Sequence, residues 1–107
     1  MAKYFNITGA SSAAAELTQQ LLAPGDEVVV NEVALTNVHA STACFVDLYI
    51  EKKLVGRFYL LKKVQLPTGV TLSVDTGGFN NGDGEYGLYI KLTKSASETP
   101  AVDVILK

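Results

Sequence analysis

Apolar and polar residues alternate along most of this chain with a period of two, and turn residues separate the runs. That pattern predicts short β-strands, because successive side chains of a strand point to opposite faces. The clearest run is 44–51. Cys44, Val46, Leu48 and Ile50 share one face, and Phe45, Asp47, Tyr49 and Glu51 share the other. The first set is expected to face a core. In the same way Leu54, Gly56, Phe58 and Leu60 alternate with Val55, Arg57, Tyr59 and Leu61. Val70, Leu72 and Val74 alternate with Thr71, Ser73 and Asp75, and Tyr86, Leu88, Ile90 and Leu92 oppose Tyr89 and Lys91. Val102, Val104 and Leu106 alternate with Asp103 and Ile105 at the end of the chain.

Residues 3–8 are a plausible first strand, and Glu27 to Thr36 a valine-rich one. Residues 16–22, with Leu17, Leu21 and Leu22, fit either a short helix turn or a strand. Pro24-Gly25-Asp26, Asn37 to Ser41, Lys52-Lys53 and Leu66-Pro67-Thr68-Gly69 mark turns, and residues 76–84, rich in glycine, form the longest loop. The sum is an all-β fold: one antiparallel β-sandwich, jelly-roll or immunoglobulin-like, of roughly seven or eight short strands. Residues 1–107 form a single domain. Residues 9–15 are small and flexible, so 1–15 is expected to be an N-terminal arm.

Composition narrows the function. The chain has 107 residues, 48% of them hydrophobic, and a formal net charge of −2. A globular domain is expected, with no overall basic field to hold a nucleic-acid backbone. One cysteine excludes an internal disulfide. The N-terminus shows no signal-peptide run, and no stretch approaches the roughly 18 apolar residues that span a bilayer. The expectation is a soluble protein made in a cytoplasm, with no membrane or nucleic-acid partner.

No catalytic set is legible. His39 is the single histidine and sits in a turn, whereas catalysis needs a base, a nucleophile and an orienting group together. Cys44 lies on an apolar strand face, where a thiol acts as a small hydrophobe and its pKa rises. Asp75, Asn80, Asn81, Asp83 and Glu85 surround the glycine-rich loop. Hard cations favour several oxygens on a loop, but this spacing is also ordinary turn chemistry. No catalytic residue, metal site or cofactor is therefore assigned.

The outward faces carry the candidate site. Phe45 and Tyr49 share one strand face; Tyr59, Tyr89 and Ile105 lie on the solvent side of theirs. With Tyr4 and Phe5 of the N-terminal stretch, Phe45, Tyr49, Tyr59 and Tyr89 form the candidate protein interface. The competing reading is that another part of the chain covers these rings, since a one-residue slip of register inverts every face.

The chain resembles the small β-sandwich structural proteins of tailed bacteriophages, cyanophages among them. The resemblance rests on Val33-Ala34-Leu35-Thr36-Asn37, the small-residue turn His39 to Ala43 and the strand Phe45 to Ile50. Phe58 to Leu61, Leu66 to Asp75 and Gly84 to Ile90 complete it. It implies a virion protein assembled in the host cytoplasm, either a capsid decoration (cement) protein or a neck, tail or fibre component. The implied partners are the major capsid protein or other virion proteins, with a homo-oligomer, such as a trimer, plausible. Deleting residues 1–12 is then expected to weaken particle binding and leave the fold intact. A rival class is a carbohydrate-binding module with Tyr49, Tyr59 and Tyr89 as its platform; an enzyme using Cys44 or the Asp75–Glu85 carboxylates is a third.

Overall fold

The computed structural model describes residues 3–8, 16–25, 29–52, 54–80, 86–94 and 100–107. They form eight strands: β1 (Lys3–Thr8), β2 (Glu16–Leu22), β3 (Val29–Asn37), β4 (Cys44–Lys52), β5 (Gly56–Leu66), β6 (Thr71–Asn80), β7 (Tyr86–Lys94) and β8 (Ala101–Leu106). Residues 16–22 are thus a strand. So are 76–80, which the glycine-rich composition had suggested as loop. Asn81, Asp83 and Glu85 lie outside the described residues.

Two antiparallel sheets face each other, in the orders β1-β8-β3-β6 and β2-β7-β4-β5. This is the jelly-roll arrangement, one of the two expected sandwiches. Every consecutive pair of strands changes sheet except β4 and β5, which form a hairpin. The alternation read from the sequence supplies the inner faces. Val33, Leu35, Val102, Val104 and Leu106 come from the first sheet; Cys44, Val46, Leu48, Leu88, Ile90 and Leu92 come from the second. Each is at most 1% exposed. Full burial of one such aliphatic side chain stabilises by about 2 kcal/mol.

The expected arm is, over residues 3–8, an edge strand. Six residues of β1 pair with β8, and Ile7 opposite Val102 is 2% exposed. The apolar side of β1 is the reason: Phe5 and Ile7 point inward while Tyr4 and Asn6 point out. Residues 9–15 lie outside the described residues.

Strand β5 departs from simple alternation. It carries two extra residues relative to β4, so that Tyr59 pairs with Tyr49, Leu61 with Leu48 and Val64 with Val46. These bulges leave both Leu60 and Leu61 half-buried against the core, and Lys63 takes a left-handed φ of 51°. β5 is the outermost strand of its sheet, and bulges with lysines are a common protection against edge-to-edge pairing.

Candidate functional site

The register of the second sheet assembles a row across all four of its strands. Gln20 of β2 pairs with Tyr89 of β7, Tyr89 with Tyr49 of β4, and Tyr49 with Tyr59 of β5. All four side chains stand on the outer face: Leu48, Ile50, Leu88 and Ile90, which flank Tyr49 and Tyr89, point to the core, and cross-strand pairing puts Gln20 and Tyr59 beside these rings. The Tyr49 and Tyr89 rings stack with centroids 5.5 Å apart and 13° between planes. Tyr49 and Tyr59 are tilted by 50° at 5.3 Å. Gln20 Nε2 donates to the Tyr89 hydroxyl at 3.0 Å.

Gly87 lets Tyr89 lie down. A Cβ at that position would come within 3.0 Å of both the Leu22 carbonyl oxygen and the Tyr89 ring. Arg57 closes the row from above: its guanidinium is 4.7 Å from the Tyr49 centroid, and its Nε donates to Glu51 Oε1 at 2.6 Å. The result corrects the expected exposure of Tyr49. It is on the outer face yet only 2% exposed, because Tyr59, Tyr89 and Arg57 cover it.

Electrostatics follow from this packing. Burial pushes the Tyr49 hydroxyl above its usual range, with Arg57 pulling the other way. Tyr59 behaves oppositely: hydrogen bonding from Arg57, and then from Lys62, favours its phenolate and lowers its pKa.

Below the tyrosines the same face turns basic. Asp47 is 4% exposed and is flanked by Lys91 on β7 and by Lys62 and Lys63 on the bulged β5. Lys62 Nζ lies 4.2 Å from the Tyr59 centroid, and Lys63 Nζ 6.0 Å from that of Phe45. A net charge of −2 conceals this gathering of cations. The sequence signal for it was the Lys62-Lys63 pair following Leu60-Leu61, two doublets that break the alternation.

A second feature lies at the β4–β5 hairpin tip. Leu54 is 98% exposed, Val55 59% and Phe58 52%. Val55 N–H donates to the Lys52 carbonyl at 3.1 Å, and Leu54 has φ +69°, a left-handed conformation that costs a leucine strain. The Phe58 ring rests 6.1 Å from that of Tyr86, over which Lys52 Nζ sits at 5.8 Å. Sequence reasoning missed Leu54 and Phe58 because alternation assigned them to a strand face, not to the end of the sheet.

The remaining candidates separate. Tyr4 is 73% exposed on the outer face of the first sheet, whereas Phe5 is partly buried against the core. Phe45 is half-buried on the lysine side of the tyrosine row. His39 serves a turn: its Nδ1 accepts the N–H groups of Ser41 and Thr42, each at 3.1 Å. Cys44 is buried in the core and its thiol is pushed up by desolvation. Asp75 Oδ1 accepts the Gly77 N–H at 2.8 Å, a turn contact. Among the described residues no three His, Cys, Asp or Glu side chains come together as metal ligands.

No protein-family model and no curated protein matches the sequence. Solved structures do share the fold. The Yersinia pseudotuberculosis-derived mitogen aligns with a TM-score of 0.63 and 12% identity, over 100% of this chain and 85% of the mitogen. PirA aligns at 0.58 and 10% identity, over 96% and 91%. A chain in the structure of infectious bursal disease virus, Gx strain, matches at 0.45 and 10% identity, with this chain spanning 32% of it. Identities this low show likeness of fold alone, and the viral match is too loose to carry any argument.

Proposed function

We propose that this chain is a structural protein of a tailed-phage particle, and within it a decoration protein that binds the outside of the capsid lattice. The observation that carries the reading is the β4–β5 hairpin, where Leu54, Val55 and Phe58 are each more than half exposed. Covering apolar surface is favourable by about 25 cal/mol per Å². Apolar side chains held out on and beside a strained turn gain that energy only when a partner covers them. The resemblance of the sequence to phage β-sandwich proteins supplies the setting, with the major capsid protein as the partner.

The role has no catalytic step and no cofactor. Each copy makes a modest contact, and the symmetry of the lattice multiplies it, which also suits a homo-oligomer such as a trimer. Quantitative mass spectrometry on purified particles from the source tests this. A copy number matching the capsid lattice supports decoration. A number matching one vertex or the tail makes the chain a neck, tail or fibre component. Absence from particles overturns both.

One observation favours a carbohydrate-binding module as a second reading. Tyr49, Tyr59 and Tyr89, which the sequence offered as a platform, do meet in one row. Burial of Tyr49 removes the middle of that platform and leaves its flanks. A glycan array with no binding above background removes this reading.

A further inference from the structure

Four strands lie at the edges of the two sheets: β1 and β6 in the first, β2 and β5 in the second. An edge strand offers backbone N–H and C=O groups to any further strand, and natural sheets blunt such edges with bulges, charges or proline. Three of these four edges carry a bulge. The bulges of β5 lie opposite β4 between Val46 and Tyr49. In β6, pairing jumps from Phe79 to Asp75 while β3 advances only from Val30 to Glu32, and Gly77 and Gly78 take φ of +69° and +81°. In β2, Leu21 is an extra residue between the Gln20–Tyr89 and Leu22–Leu88 pairs.

β1 differs from the other three. It pairs with β8 in unbroken register, from Lys3 opposite Leu106 to Thr8 opposite Ala101. Its sequence, Lys-Tyr-Phe-Asn-Ile-Thr, holds no proline or glycine, and its one charge, Lys3, is at the start. Tyrosine, phenylalanine, isoleucine and threonine all favour strands. Among the described residues no strand pairs with the outer side of β1, and Tyr4 on it is 73% exposed.

We propose that β1 pairs with β1 of a second copy, antiparallel about a two-fold axis at Asn6, so that two first sheets join into one. The pattern of the strand selects its own copy as the occupant. Directly opposite residues of an antiparallel pair share a face. With Asn6 on the axis, Phe5 therefore meets the partner copy's Ile7 on the core side, and Tyr4 meets Thr8 on the outer side, each twice by symmetry. The Asn6 amides meet each other; Nδ2 has a second proton besides the one it gives Asp103. An axis at Phe5 would instead set Lys3 against Ile7, a charge against a core-facing side chain. With the axis at Asn6 the two Lys3 positions lie about 20 Å apart at roughly 3.4 Å per residue, beyond the screening length of about 8 Å. Like charges therefore do not oppose the pairing, and the edge offers no charge pattern that would favour a strongly charged partner over its own copy. Area sets the strength. A buried tyrosine covers on the order of 200 Å², so the exposed part of each Tyr4 supplies on the order of 150 Å². Even with the backbone and Phe5 added, the contact is at the small end of specific interfaces, which begin near ~1,200 Å² in total, so the pair is weak and reversible. It uses the first sheet, whereas the particle role rests on the β4–β5 hairpin of the second, so failure of one leaves the other standing.

The test is sedimentation equilibrium of the full chain from micromolar to millimolar concentration. The expected result is a reversible rise in mass that levels at two copies. Tyr4→Lys with Thr8→Lys sets like charges opposite each other at two places and weakens association by about tenfold. Tyr4→Lys with Thr8→Glu sets opposite charges there and returns association to within about threefold of the unchanged chain. Both positions are exposed, so the urea midpoints of the two variants are expected to match that of the unchanged chain. A chain that stays monomeric at millimolar concentration overturns the proposal. So does a mass that levels at three copies, because edge pairing about a two-fold closes at two. The proposal is overturned too if both variants associate like the unchanged chain, which places the contact on another surface. If the lysine–glutamate variant associates no better than the lysine–lysine one, positions 4 and 8 do not face each other and the pairing is wrong.

Discussion

The guanidinium of Arg57 covers the ring of Tyr49 at 4.7 Å on the outer side of the sheet, while the Glu51 carboxylate anchors it at 2.6 Å. With the Tyr59 and Tyr89 rings on either side, this cross-strand ion pair completes the burial of a tyrosine on the outer face. Exposed ion pairs contribute little by themselves, about 0–1 kcal/mol. This one matters through what it shields.

That arrangement separates the tyrosines by pH. Burial raises the Tyr49 pKa above 10.0 and Arg57 lowers that of Tyr59 below it. An ultraviolet titration is expected to show an early phenolate component that Tyr59→Phe removes and a late one that Tyr49→Phe removes. The stability consequence has a defined sign. Tyr49 has its folded pKa above its unfolded one, so its contribution is full below the unfolded value and is lost as pH rises through the folded value. In a Tyr59→Phe background, which removes the opposing contribution of that ring, unfolding free energy measured in urea falls across that alkaline window, and adding Tyr49→Phe flattens the fall. A single phase shared by both rings would contradict the packing described.

Asn37 is the polar residue on which the β3–β4 turn depends. It is 1% exposed, and its Nδ2 donates to the carbonyls of Leu66 at 2.9 Å and Thr42 at 3.0 Å. Its Oδ1 accepts the His39 N–H at 2.9 Å. Asn37→Ala leaves these buried groups without a partner and is expected to cost about 2–3 kcal/mol in urea unfolding. His39→Ala touches a more exposed part of the same turn and is expected to cost about 1 kcal/mol. Equal losses would show that the turn, not the asparagine, carries the stability.

Leu54 makes the opposite prediction. Its side chain is in water and its backbone suits glycine, so Leu54→Gly is expected to change stability by no more than about 0.5 kcal/mol. Co-sedimentation of the same variant with purified particles is expected to drop. Retained binding would remove the tip as the docking element.

Residues 3–8 are expected to contribute to stability as the edge partner of β8. Ile7→Ala is expected to lose about 2–4 kcal/mol, as for other buried isoleucines. Tyr4→Ala on the opposite face is expected to change stability by less than about 0.5 kcal/mol. Deleting residues 1–8 removes the edge partner of β8 and lowers the urea midpoint. An unchanged midpoint would restore the picture of a free arm.

Much of the fold was legible in the sequence because a strand's two faces are a local property. Alternation at 44–51, 86–92 and 102–106 was enough to name Cys44, Val46, Leu48, Leu88, Ile90, Leu92, Val102, Val104 and Leu106 as core. Which strand lies beside which is not local. β1 meets β8 across nearly the whole chain, and nothing within residues 3–8 encodes that partner. The ambiguity at 16–22 was resolved for the same reason: β7 supplies the hydrogen bonds that make the segment a strand.

The candidate site divides along the same line. The residues themselves determined that Tyr49 and Tyr89 point away from the core, since each sits between core-facing neighbours; Tyr59 shares that face by its alternation with Leu60. Only the register between strands decided that they meet, that Arg57 buries the central ring, and that bulges gather Lys62 and Lys63 beside Asp47. Side-chain direction follows from the alternation of a single strand. Contact and local charge depend on pairing between segments distant in sequence, and these form only when the two sheets close on their shared core.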